Sequence, residues 1–129
     1  MNKKLLISGA ILGILGIGIG AFAAHGLEKL VDADAIKSFE TGVRYQMYHA
    51  FLLLILGSTN FINLKSKIIV FYVLVFGVLC FSGSIYGLAT NALSDFDFKP
   101  IALITPVGGL LLIVVWIVML IGIIRSKFD

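Results

Sequence analysis

The chain has 129 residues, of which 60% are hydrophobic and only 13% charged, against about 25% charged in soluble domains. A water-soluble fold of that length cannot hide so much apolar surface, so a large part of it must face lipid. The formal charge of +3 is scattered rather than clustered, which excludes a nucleic-acid partner as the composition excludes a soluble enzyme or a disordered tail.

Four apolar runs are expected to cross a bilayer, each near the roughly 20 residues a spanning helix needs. The first covers residues 5–24 and follows Lys3 and Lys4. Its charged start and its Ala21-Phe22-Ala23 end mimic a cleavable signal peptide. Signal cores are about 7–15 residues and this run is longer, so a retained helix is expected. Gly9, Gly13, Gly16 and Gly20 keep to one side of it, a small-residue stripe that lets helix backbones approach. Gly18, Gly20 and Ala23 match a dinucleotide-binding pattern by letter only, because no strand precedes them.

Between His25 and Val43 a short interfacial helix is expected. Asp32 or Asp34 can cap it, and Ile36, Phe39 and Val43 recur on one face. Gly42 marks the expected bend into the second span, residues 45–62. The third span, residues 68–89, carries Gly77, Cys80, Ser84 and Gly87 as a second small-residue stripe with Gly83 beside it. Cys80 is the only cysteine, so no internal disulfide forms, and it reads as a small buried hydrophobe. The fourth span, residues 101–124, holds Thr105-Pro106 as a helix start, with Thr105 as cap and proline at the first helical position.

The expected fold is therefore all-α: four transmembrane helices in an antiparallel bundle, with a short interfacial helix before the second span, in one domain of residues 1–129. Lys3, Lys4, Lys65, Lys67, Arg125 and Lys127 fall on one side of the membrane, and Lys29, Lys37, Arg44 and Lys99 on the other. The positive-inside rule then places both termini in the cytoplasm.

Polar side chains inside a membrane are costly unless partnered, so they point to a site. With the second span entering near Arg44, His49 lies about 7 Å deep at 1.5 Å per residue. Ser82 and Ser84 of the third span reach a similar depth, His25 ends the first span and Thr105 begins the fourth. These residues, with Tyr45, are expected to cluster at the outer ends of the helices. Glu40 and Arg44 stand four apart with the acid first, the better order for a helical ion pair, and an anion bound by Arg44 is the other expectation. His49 is expected to bond a hydroxyl or a carbonyl of the third or fourth helix. Ser82 and Ser84 point to nearly opposite faces, so only one of them is expected to face the second span. Two histidines raise metal or haem ligation, but the spans hold no carboxylate or cysteine at ligand spacing, so neither metal nor cofactor is expected.

Residues 20–27 (GAFAAHGL), 39–50 (FETGVRYQMYHA), 81–86 (FSGSIY) and 104–109 (ITPVGG) together resemble the membrane-protein family of domain of unknown function 423. These are the YgdD-like proteins, with a eukaryotic relative, transmembrane protein 256. The resemblance covers nearly the whole chain; at position 23 alanine stands where the family commonly has glycine. It implies four helices in a bacterial inner membrane and brings no established activity.

No nucleophile–base–orienter set is present, so a non-enzymatic accessory or self-associating module is the first expectation, with membrane lipids, further copies or a larger membrane complex as partners. The second is a binder or carrier of a lipid or other amphiphile at the polar cluster, where Arg44 suits a phosphate or carboxylate. An intramembrane enzyme with His49 as base ranks third, for want of a matched partner.

Overall fold

The computed structural model describes residues 1–127 of the chain, so the last two residues of the expected single unit lie outside the described residues. The described residues are helical throughout, apart from turns and short connections. Helix α1 is Asn2–His25, α2 is Ala33–Ser58, α3 is Leu64–Val78, α4 is Ser84–Ala89 and α5 is Ile104–Arg125. One wide π-type turn, Leu79–Gly83, joins α3 to α4 without a break, so they act as one long helix. Three stretches, Asn2–Lys29, Leu64–Ala89 and Lys99–Arg125, are long and apolar enough to cross a membrane. The region expected as the second span belongs to α2, which is long enough at 26 residues, about 39 Å. It is less apolar, because Arg44, Gln46 and His49 lie within it.

The expected interfacial helix is not a separate element. Asp32 caps α2 as one of the two predicted candidates, its Oδ1 accepting from the Ala35 amide at 2.8 Å. From there the helix runs unbroken through Gly42 to Ser58. Gly42 is not a bend: a side chain there would meet the Tyr86 ring at 2.8 Å, so the glycine is there for close packing. Helix α3 starts on Asn63, whose Oδ1 accepts from the Ser66 amide at 2.8 Å.

Helix α1 packs along α2, and α3 along α5. The two pairs meet where α2 and α5 both touch the π turn. Both termini share an end with the 59–63 turn. There Lys67 Nζ donates to Asn2 Oδ1 at 2.9 Å and to the Thr59 carbonyl, and the Ser126 hydroxyl donates to the Phe61 carbonyl. We call this the terminal end; the connections 26–32 and 90–103 form the loop end.

The main apolar core lies towards the terminal end and includes Leu5, Leu53, Leu56, Val70, Leu74 and Val115, all fully buried. A smaller one, Ala23, Leu27, Phe39 and Ala89, closes the loop end. Removing a buried leucine side chain from such a core costs roughly 2–5 kcal/mol. Because lipid supplies no hydrophobic drive between helices, close approach matters more here than in water. A side chain on Gly9 would meet the Ala50 carbonyl at 2.9 Å, one on Gly20 would meet Val43 at 3.3 Å, and one on Gly16 would strike the Met47 thioether. The α1 stripe is therefore largely covered by α2 inside the chain, and only Gly13 faces open space. The stripe expected to join copies thus packs within the chain at Gly9, Gly16 and Gly20.

The second stripe is split by the π turn, which inserts an extra residue and rotates α4 relative to α3. Gly77 faces Leu111 and Leu112 of α5, and Gly87 faces Phe98 of the loop-end connection. Gly83, expected to pack, has nothing within 4 Å of its missing side chain. Gly108 lies directly on the backbone of Cys80 and Phe81, within 2.8 Å of where a side chain would begin, so α5 crosses the π turn at contact distance.

Candidate functional site

Polar side chains from α2, the π turn, α4 and α5 form a belt between the two apolar cores. Its centre is Gln46, which is 4% exposed. Its Nε2 donates to the Leu12 carbonyl of α1 at 2.9 Å, and its Oε1 accepts from the Tyr86 hydroxyl of α4 at 2.6 Å. One side chain thereby ties three helices. Both Leu12 and Gln46 stand halfway along their helices. Gln46 is therefore near mid-height, whereas Ser84 and Thr105 meet nearer the loop end, in the first turn of α5.

Ser82 is 1% exposed, and its hydroxyl donates to the Gly42 carbonyl of α2 at 2.7 Å. Ser84 turns the other way: its oxygen lies 2.5 Å from Thr105 Oγ1 of α5, and its hydroxyl is also placed to donate to the Phe81 carbonyl at 3.0 Å. The two serines thus bridge to different helices, Ser82 to the second and Ser84 to the last. Thr105 was expected to cap its helix, yet α5 begins at Ile104 with no side-chain cap. Its hydroxyl is engaged by Ser84 instead.

His49, 3% exposed, has both ring nitrogens occupied. The Trp116 indole N–H of α5 points to Nε2 at 3.3 Å, and Nδ1 lies 2.6 Å from the Tyr45 carbonyl one turn earlier. An indole nitrogen only donates, so Nε2 accepts and the proton sits on Nδ1, which donates to Tyr45. The partners are a carbonyl of its own helix and an indole, in place of the expected hydroxyl or carbonyl of another helix.

The remaining expected residues lie outside this belt. His25 is exposed at the end of α1, and Glu40 and Arg44 are exposed on α2. Arg44 Nη2 donates to Thr41 Oγ1 at 3.1 Å, not to Glu40. Tyr45 packs edge-on to Phe81 with ring centres 5.1 Å apart. The structure thus joins His49, Ser82, Ser84 and Thr105 to the belt, sets Tyr45 at its rim, and leaves His25, Glu40 and Arg44 on the surface.

Gln46, Tyr86 and Trp116 were not singled out from the sequence, although a glutamine within an apolar run must find partners. Lys67 was also missed, having been counted only as a loop cation. It is 3% exposed, and its ammonium is also 3.4 Å from Asn60 Oδ1. It meets the carbonyl of Thr59 just past the last residue of α2, where the helix dipole favours a cation.

Among the described residues no group of three or more His, Cys, Asp or Glu could hold a metal ion. Every buried side-chain nitrogen or oxygen among them has a hydrogen-bond partner. Beside the belt, α2 and α5 leave a groove of about 590 Å³, lined by Tyr45, His49, Phe81, Pro106, Gly109 and Trp116 among others.

An all-helical chain with three spans' worth of apolar helix and an internally satisfied polar belt is the architecture of a small integral membrane protein. The chain belongs to the family described as "Protein of unknown function (DUF423)", whose model matches residues 19–109. It is 40% identical to a UPF0382 membrane protein of Staphylococcus saprophyticus over 123 residues, 93% of this chain and 96% of the other. It is 35% identical to a UPF0382 membrane protein of Haemophilus influenzae, with 98% of both chains covered. With the UPF0382 inner membrane protein YgdD of Escherichia coli it shares 37% identity over 98% of this chain and 93% of that one. No solved structure matches the chain.

Proposed function

We propose that this chain is a non-enzymatic membrane module: one domain of four spans, with α2 crossing beside the three more apolar helices and both termini in the cytoplasm of a bacterial inner membrane. The observation that carries the non-enzymatic reading is the state of the polar belt. Its side chains are consumed in holding helices together, and His49 keeps no free nitrogen to act as a base. Such a module acts by association, with further copies or within a larger membrane complex, rather than by turnover.

Native extraction in mild detergent, with mass spectrometry of the retained proteins, tests the association. Co-purifying copies or a stoichiometric partner support it; a lone monomer overturns it. Reporter fusions at residues 65 and 97 test the orientation, and exposure of residue 65 outside intact cells overturns it. His49→Leu separates a lock from a site: loss of folded protein marks a lock, whereas a stable chain that no longer retains an amphiphile marks a site.

A second reading, binding of a lipid or other amphiphile, is favoured by the groove between α2 and α5. Its lining is mainly apolar with aromatic walls.

A further inference from the structure

The two ends of the molecule differ in charge. Lys3 and Lys4 of α1, Lys65 and Lys67 of α3, and Arg125 and Lys127 at or just beyond the end of α5 stand at the terminal end. All but Lys67 are exposed. The bonds from Lys67 to Asn2 and from Ser126 to Phe61 hold these segments together. Every described Asp and Glu lies in the loop half, beside Lys29, Lys37, Arg44 and Lys99. Asp129, the one remaining acid, lies outside the described residues. Lys67 adds to the imbalance, because its buried ammonium meets only neutral acceptors, on Asn2, Thr59 and Asn60.

Three of the exposed cations crown apolar stripes. On α1, Ile7, Ile14 and Ile17 follow Lys3 at spacings that keep them on one helical face, and all are exposed. On α3, Ile69, Tyr72 and Phe76 follow Lys65 in the same way. On α5, Leu110, Val114 and Ile121 lead to Arg125. These helices belong to the three stretches apolar enough to cross a membrane. In each stripe the nearest apolar residue is four positions from the cation, about 6 Å along the axis. Each stripe is thus a hydrocarbon path that ends in a positive charge, complementary to the acyl chain and phosphate of one lipid. Helix α2 supplies the contrast: its exposed Tyr48, Phe51 and Ile55 run out on Ser58, Thr59 and Asn60, with no cation.

We propose that the terminal end is a docking surface for anionic phospholipids of the adjoining leaflet, with head-group phosphates at Lys3, Lys65 and Arg125 and chains along the three stripes. The excess of cations selects the class. A zwitterionic lipid brings an ammonium that these side chains repel and that no described carboxylate there receives. A lipid with net negative charge meets only cations. An acidic protein segment would use the charges but not the stripes. The surface is separate from the α2–α5 groove and stands whether or not that groove takes an amphiphile.

The test uses the full chain in maltoside detergent at about 0.15 M salt, where charges at the far end are screened. It is titrated with dioleoyl phosphatidylglycerol or dioleoyl phosphatidylethanolamine, and bound lipid is counted by native mass spectrometry. The wild type should prefer phosphatidylglycerol by about tenfold or more, because several cations act together. Lys65→Gln should cut that preference about fivefold, the factor one basic residue near an anionic surface supplies. Combining Lys3→Gln, Lys65→Gln and Arg125→Gln should bring the two lipids to parity, and the thermal midpoint should hold because all three side chains are exposed. Lys65→Gln alone decides the matter should the combined variant fail to fold. Lys37→Gln with Lys99→Gln removes two cations from the loop half and should leave the preference within about twofold. Glycerol phosphate, a head group without chains, should not compete at the lipid's concentration. No preference in the wild type, an unchanged preference in Lys65→Gln or the folded combined variant, or an equal loss from the loop-half pair would overturn the proposal. Competition by glycerol phosphate would overturn it too, since the stripes would then add nothing.

Discussion

Towards the terminal end the helices meet through Leu5, Leu53, Leu56, Val70, Leu74 and Val115, with Lys67 closing the tip. From mid-height towards the loop end they are joined instead by Gln46, His49, Ser82, Ser84 and Thr105, each bonded to a partner across or along a helix. The first region is held by shape, and its strength depends on how well leucine, valine and glycine surfaces fit. The second is held by hydrogen bonds that lipid cannot replace, each modest in strength but tied to one register of the helices. A membrane protein can therefore be rigid where it is most polar. Part of the reason α2 looks poorly suited to a bilayer is that Gln46 and His49 are turned inward; its charged residues, Arg44 among them, stay exposed.

Leu74→Ala should give the largest effect, about 2–5 kcal/mol of lost stability in detergent unfolding, because a fully buried side chain leaves a cavity. A loss well below 1 kcal/mol would mean that the apolar half is loosely packed and the contrast is false. Gly16→Ile should cost about 1–3 kcal/mol by forcing Met47 aside, read as a lowered thermal midpoint. Gln46→Leu removes two ties at once and should cost about 1–2 kcal/mol, since such bonds in membranes average about 0.6 kcal/mol and seldom exceed 1.7. A neutral result would show that the belt fills space without holding the helices. Gly13→Ile should be the smallest, within about 0.5 kcal/mol, as nothing lies near its missing side chain. Comparing it with Gly16→Ile in one thermal series checks that α1 is covered on one face only.

Much of this architecture was legible in the sequence. Hydropathy located α1, the α3–α4 helix and α5, and the Asp32 cap followed from residue type at a helix start. The separate orientations of Ser82 and Ser84 followed from helical periodicity. What was hidden shares a physical cause. Leu12, Gly42 and Tyr45 take part through backbone carbonyls, which every residue has, so no letter marks them as acceptors. The π turn adds one residue to a helix without a glycine–proline signal, and it moved Gly83 out of the packing stripe. The continuity of α2 was missed because Gly42 suits a bend and close packing equally well, and only the Tyr86 ring beside it separates the two. Lys67 read as a loop cation because its partners, Asn2 and Thr59, are remote or anonymous in sequence.

The central claim is that polar side chains of α2 act as ties between helices, and a double-mutant cycle on Gln46 and Tyr86 tests it most directly. Their side chains meet at 2.6 Å across two helices. Gln46→Leu, Tyr86→Phe and the double variant are unfolded reversibly in the same detergent, and the coupling is taken from the three differences. The account predicts a favourable coupling of about 0.6–1.7 kcal/mol, the range such bonds reach in membranes. Strict additivity, within about 0.3 kcal/mol, would contradict it.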